Sequence, residues 1–195
     1  MSNAVLLRQV RAYYGLSQPQ LIPWLGLSRV MLGQIETGRE ALPAHARPWL
    51  RAWWLALPAS ADDPSPPDDP GDPGEMPLAG PAALLARLAE CRYQQQRLGQ
   101  QLRVARQRLR YAERRLSAGP VLLAALPPLP DPQGPPEPAA LAGRRRWLHR
   151  LFEAAADALL PEAPGGPTSV ALLEARRSAW QHEAACLRAH LSAGS

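Results

Sequence analysis

Proline decides where this chain can hold regular structure. Inside a helix a proline removes a hydrogen bond and clashes with the preceding turn, so helices run between prolines. Of 23 prolines in 195 residues, seven fall in 58–80 and eight in 118–138. The first cluster, PASADDPSPPDDPGDPGEMPLAG, carries six acids and no arginine, and reads as a semi-extended acidic linker. The second, AGPVLLAALPPLPDPQGPPEP, reads as a proline-rich loop. The windows between them show apolar residues at helical spacing, and no strand alternation stands out. The sequence therefore predicts an all-α protein. A small helical module at 1–57 is followed by the linker at 58–80. A helical coiled-coil domain at 81–195 is then interrupted by the loop at 118–138.

The longest proline-free window carries a heptad seam. Leu84, Leu88, Cys91, Gln95, Leu98, Leu102, Ala105, Leu109, Ala112 and Leu116 follow steps of four and three, the pattern that keeps one stripe facing a partner helix. A second seam runs through Val170, Leu173, Arg177, Trp180, Ala184, Leu187 and Leu191, with Thr168 or Ser169 as its N-cap. Between them, 139–160 is amphipathic, with Leu141, Leu148, Leu151, Phe152, Ala155 and Leu159 on one face. This pattern accommodates either a three-helix hairpin within one chain or a dimeric coiled coil through the 81–117 helix.

The N-terminal window is punctuated like a bundle of four to five short helices. Leu6, Leu7, Val10 and Tyr14 share a face, and Gly15 ends that helix. Ser17 caps the next helix, whose Leu21, Ile22 and Leu25 form an apolar patch before Gly26 supplies the positive φ of a tight turn. Ser28 caps a third helix carrying Val30 or Met31, Leu32 and Ile35, and Gly38 stops it. Pro48 suits the start of a closing helix in which Trp49, Trp53 and Trp54 cluster, chiefly as core.

This punctuation resembles the Cro and lambda-repressor-like (XRE-type) family of helix-turn-helix DNA-binding domains. The resemblance is carried by Leu7-Arg8, Arg11, Gly15-Leu16-Ser17-Gln18, Leu21, Leu25-Gly26-Leu27-Ser28-Arg29, Ile35-Glu36 and Gly38, and covers about residues 4–57. It implies that the third helix enters the major groove of duplex DNA. Ser28, Arg29, Val30, Gly33 and Gln34 would then face the bases. Gln18 would start the second helix at the sugar-phosphate backbone, and Arg39 would contact a phosphate. Arginine can read guanine, glutamine adenine and valine a thymine methyl, so the residue types suit base reading. Arg11 and Glu36 match positions that often form a supporting ion pair in the family. Two residues depart from the family pattern. Pro23 lies inside the second helix, where proline costs roughly 3 kcal/mol, and Gly33 removes a side chain used for contact. They imply a reader with fewer base contacts on the same fold.

Charge agrees with an acidic partner. All 22 cationic residues are arginine and the net charge is +5. The balance is +4 over 1–57 (six Arg, two acids), −6 over 58–80, +7 over 81–117 (nine Arg, two acids) and zero over 118–195 (seven of each). Arg103, Arg106, Arg108, Arg110, Arg114 and Arg115 surround their helix instead of forming one stripe, which reads as a solvated flank of the coil. GRRRWLHRLF at 143–152 is a short basic cluster at a helix start. His182, Cys186 and His190 recur every four residues, but the outer two are about 12 Å apart along the axis, so one ion cannot take all three. His45 and His149 stand alone. No metal site, cofactor or catalytic constellation is indicated, so the chain does not read as an enzyme. Two cysteines make no disulfide framework. With no signal-peptide pattern and no membrane-spanning run, the expected compartment is the cytoplasm.

The expected function is sequence-specific double-stranded DNA binding by a dimeric transcriptional regulator. The alternative is a protein scaffold or adaptor built on a helix-turn-helix and a coiled coil. A third reading makes the acidic linker an autoinhibitor of the basic module. Deleting 58–80 would then raise duplex affinity at low salt, measured by titration against the intact chain, and unchanged affinity would refute it.

Overall fold

Every segment the prolines leave free is a helix, and one more helix forms where proline is dense. The structure is a computed structural model that describes residues 2–58, 80–130 and 136–193. Its helices are α1 (Asn3–Tyr14), α2 (Gln18–Leu25), α3 (Arg29–Glu36), α4 (Arg47–Leu55), α5 (Ala82–Ser117), α6 (Gly119–Ala124), α7 (Ala139–Ala158) and α8 (Pro167–Ala193), with a 3-10 turn at Ala44–Ala46 leading into α4. Among the described residues there is no strand, so the fold is all-α. None of the described helices is long and apolar enough to cross a membrane. Of the linker expected at 58–80, residues 59–79 lie outside the described residues, as do 131–135 of the expected loop.

The chain forms two compact units, and their boundaries differ from those read in the sequence. The first unit joins Met1–Asp63 to Arg110–Leu159, and the second joins Pro64–Leu109 to Leu160–Ser195. The last turns of α5, all of α6 and all of α7 thus belong with the N-terminal helices. The physical reason is area: a module of about 60 residues is marginal by itself, and the apolar faces of α6 and α7 enlarge its core. Here Leu122 of α6, Leu126 after it, and Trp147, Leu148 and Leu151 of α7 join Leu7, Trp24, Leu32 and Trp53 in one cluster. The aromatic centre holds it together: Trp147 lies 5.5 Å from Trp24 and 6.3 Å from Trp53, and Trp53 lies 4.6 Å from Tyr14, between ring centroids. Trp54, by contrast, is exposed.

Helix α6 corrects the expectation of a loop throughout 118–138. Pro120 sits in its first turn, where a missing N–H does no harm. Leu122 and Leu126, four residues apart, are both buried, and Pro127 forbids continuation. Helix α8 also starts earlier than the Thr168 or Ser169 cap would place it. Pro167 is its first residue, and the Gly166 carbonyl accepts from the Val170 N–H at 3.1 Å.

In the second unit, α5 and α8 pair antiparallel within the chain. Arg87 bonds Glu183 at 2.6 Å, the Gln95 side-chain amide donates to the Trp180 carbonyl at 3.1 Å, and Arg106 bonds Glu174 at 2.7 Å. Partners fall in number on α8 as they rise on α5, which fixes the direction. Leu88 and Cys91 of the first seam pack with Ala184 and Leu191 of the second. This part of the seam is a two-helix hairpin of α5 and α8, not the three-helix hairpin expected, because α7 belongs to the first unit. Ala112 and Leu116, the seam's last positions, lie in the first unit.

Two left-handed glycines separate conformational need from packing need. Gly15 has φ +61°, and a Cβ there would lie 2.2 Å from the Tyr111 ring; Gly38 has φ +75° with nothing within 4 Å of such an atom. Gly38→Ala should therefore cost about 1 kcal/mol, from backbone conformation alone. Gly15→Ala should cost about 3 kcal/mol or more, because the Tyr111 ring must also move. Urea unfolding of both variants checks the contrast, and equal losses would refute it.

Candidate nucleic-acid interface

The candidate site is α3 and the elements that hold it. Helix α2 starts at a cap in which the Gln20 side-chain oxygen accepts from the Ser17 N–H at 2.8 Å. Pro23 lies within α2 without ending it. Pro19, whose carbonyl loses its partner to that ring, is exposed, so water can take the missing bond. Gly26 closes the helix at φ +68°, its N–H reaching the Ile22 carbonyl at 2.9 Å. Two residues later the Ser28 hydroxyl accepts from the Met31 N–H at 3.2 Å and starts α3. Gly26 and Ser28 take the roles expected of them, as do Leu21, Leu25, Leu32 and Ile35, but Val30 and Met31 are both exposed, so neither joins the apolar face.

Helix α3 has two distinct faces. Leu32 and Ile35 are buried. Ser28 precedes the helix, and Arg29, Val30, Gly33 and Gln34 share its other face, one turn apart in pairs. Ser28, Arg29, Val30 and Gln34 are exposed, Val30 at 71 % of its surface. Gly33 leaves an open gap on that face, with no atom within 4 Å of where a Cβ would stand. Beyond the helix, the Thr37 hydroxyl donates to the Gly33 and Gln34 carbonyls, and Arg39 is exposed with its N–H on the Gln34 carbonyl at 2.9 Å.

The inner end of α3 is tied to α1 and α2 by one carboxylate. Glu36 accepts from Arg11 Nη1 and from the Gln18 amide, both at 2.5 Å, and Arg11 Nε also reaches the Leu16 carbonyl at 3.0 Å. The Arg11–Glu36 pair is thus present. Gln18, expected at the sugar-phosphate backbone, donates its amide to Glu36 and so gives the carboxylate's second oxygen a donor.

Sequence reasoning missed the arginines that close the helix ends of this module. Arg114 donates to the Tyr13 carbonyl at 3.0 Å and lies 4.1 Å over the Tyr13 ring. Arg115 donates to the carbonyls of Tyr14 at 2.9 Å and Gly15 at 2.7 Å. Arg144 donates to the Trp24 carbonyl at 2.7 Å and stacks 4.2 Å over the Trp49 ring. Burial pulls the Arg115 and Arg144 guanidinium groups down from their ordinary value, the direction expected of cations withdrawn from water. One signal was available. Arg144 falls between Leu141 and Leu148 on the stripe that continues to Leu151 and Ala155, so a cation occupied a core register of α7. Trp24 was missed as core as well, although it is fully buried.

Elsewhere, Cys186 Sγ lies 3.7 Å from His182 Nε2 on the exposed side of α8. Among the described residues no cluster of three metal-ligating side chains occurs. The exposed face of α3 carries a cation at Arg29, an apolar group at Val30 and an amide at Gln34. No family model matches the chain, and no curated protein or solved structure matches it either.

Glu36 is the joint most easily tested. Its side chain is 10 % exposed and that of Arg11 is 26 % exposed, so Coulomb attraction is only partly screened. Removing it leaves two donors without their acceptor. Glu36→Ala should cost about 2 kcal/mol in urea unfolding. A double-mutant cycle with Arg11→Ala should show coupling, and strict additivity would exclude the joint.

Proposed function

We propose that the protein reads duplex DNA sequence through α3 and acts as a transcriptional regulator that binds its site in pairs. One observation carries the reading. Arg29, Val30 and Gln34 stand exposed on one face of a helix whose opposite face is locked by Leu32, Ile35 and Glu36. A groove reader needs this combination: donors, acceptors and a methyl contact on the outside, and no freedom of orientation on the inside. Ser28 and Arg39 would flank the contact, and Gly33 would let the helix backbone approach the bases closely.

Binding in pairs follows from the size of the contact. Few base contacts on one short helix give modest affinity, and a second copy on an adjoining half-site raises it without any new contact type. Of the 81–117 helix expected to pair two copies, the stretch around Leu88 and Cys91 packs on Ala184 and Leu191 of the same chain. A cytoplasmic location belongs to the same proposal.

The test is selection of bound duplexes from a randomised pool at physiological salt, with Arg29→Ala/Gln34→Ala beside the unaltered chain. The unaltered chain should enrich a roughly palindromic sequence. The double variant should bind it more weakly by a few kcal/mol, at roughly 1–3 kcal/mol for each good base contact. Binding that vanishes with salt and ignores both substitutions would reduce the interaction to backbone electrostatics and favour an adaptor that docks proteins.

A further inference from the structure

We infer that Arg144 is a positioning residue for the recognition helix: by capping α2 at the α2–α3 turn, it makes the orientation of α3 depend on the docking of α7. The inference rests on the reading of α3 as the DNA-contacting element, and the geometry behind it lies wholly within the first unit.

Three observations lead to it. The first is need. The last carbonyls of any helix lack intrahelical donors, and they attract a cation. Helix α2 has no basic residue in its own last turn. Arg144 supplies both donor and charge, with its Nε 2.7 Å from the Trp24 carbonyl.

The second is place. Only Gly26, Leu27 and Ser28 separate α2 from α3. A Cβ on Gly26 would lie 3.0 Å from Arg144 Nη2, so the guanidinium rests directly against the residue that sets the bend. Displacement there passes straight to Ser28, the cap of α3, and to Arg29, its first reading residue. Three residues offer few dihedrals to absorb it.

The third is cost. Arg144 is 8 % exposed on a stripe otherwise made of Leu141, Leu148, Leu151 and Ala155. A leucine there would continue the apolar face at no desolvation penalty, whereas a buried cation is expensive unless its geometry is well satisfied. Its contacts are a carbonyl and the face of Trp49. Neither is a carboxylate, so ion pairing does not account for it. What arginine adds over leucine is direction: a flat donor gripped between an indole and a helix end holds the turn in one orientation.

The test uses the full chain with Arg144→Met, which keeps bulk and loses the donors, and Arg144→Lys, which keeps charge and one flexible donor group. Residue-resolved amide hydrogen exchange is read beside binding to the selected duplex and to a scrambled one. In Arg144→Met, exchange should quicken about tenfold or more from Gly26 to Leu32, while α1 and α8 keep their protection. Affinity for the selected duplex should fall about tenfold, with little change for the scrambled one, and Arg144→Lys should recover part of both. Exchange that quickens evenly across the first unit, or not at all near Gly26, would overturn the inference, as would equal loss on both duplexes. If Arg144→Met does not fold, Arg144→Lys decides by the same pattern. If the unaltered chain selects no duplex, the DNA reading falls, and the exchange pattern still decides whether Arg144 orients α3.

Discussion

Helices α1 and α2 both end in left-handed glycines, and the carbonyls left open there are taken by arginines from far along the chain. Arg114 and Arg115 close α1, and Arg144 closes α2. The rest of the first unit depends on this exchange. Four short helices make only a marginal core by themselves, and their ends carry open carbonyls that would otherwise need water. Satisfying these ends with buried guanidinium groups lets α6 and α7 pack over them. Tyr111 over Gly15 and Arg144 against Gly26 show how close the approach becomes. Glycine is required twice at these places, for its φ and for the missing Cβ.

Within that frame Glu36 divides α3 into an anchored side and a free side. Its two oxygens collect Arg11 from α1 and Gln18 from α2, so one carboxylate joins three helices. A single exposed ion pair would contribute little. This one is largely buried and shares its charge between two donors, so it fixes geometry better than it adds energy. The prolines of α2 fit the same division. Pro19 lies in the first turn, where no bond is lost, and the one bond Pro23 removes is to the exposed Pro19 carbonyl, on the wet side of the helix, while Leu21, Trp24 and Leu25 stay packed beneath.

The second unit is simpler in its physics. A two-helix hairpin has only one apolar stripe, here Leu88, Cys91, Ala184 and Leu191 with Leu84, Leu85, Trp180 and Leu187 alongside. Arg87 holds Glu183 below the usual carboxylate range through a direct hydrogen bond, yet both side chains are exposed and the pair guides register more than it stabilises. Gln95 does the same from inside the seam, because its amide finds the Trp180 carbonyl at only one alignment of the two helices.

Local chemistry was legible in the sequence. Prolines, glycines at Gly15, Gly26 and Gly38, the caps Ser17 and Ser28, and periods of three and four are set by residues a few positions apart. They determined an all-α chain, the helix ends of the first module and both seams, whereas the Arg11–Glu36 pair, 25 residues apart, was implied only by the family resemblance. The outward residues of α3, Arg29, Val30 and Gln34, came from the same resemblance. What tertiary structure alone decided was which surfaces meet. The amphipathic face of α7 fits a coil, a hairpin or the back of α2 equally well as a pattern, and only the shape of the Trp24–Trp53–Trp147 cluster selects the last. The same holds for Arg115 and Arg144. In sequence Arg115 is one more arginine in a basic run and Arg144 is only a cation on an apolar stripe, and their role as caps exists only once the chain brings them to carbonyls about 100 and 120 residues away. Backbone carbonyls are common to every residue, so no side-chain pattern marks which of them a distant donor will find.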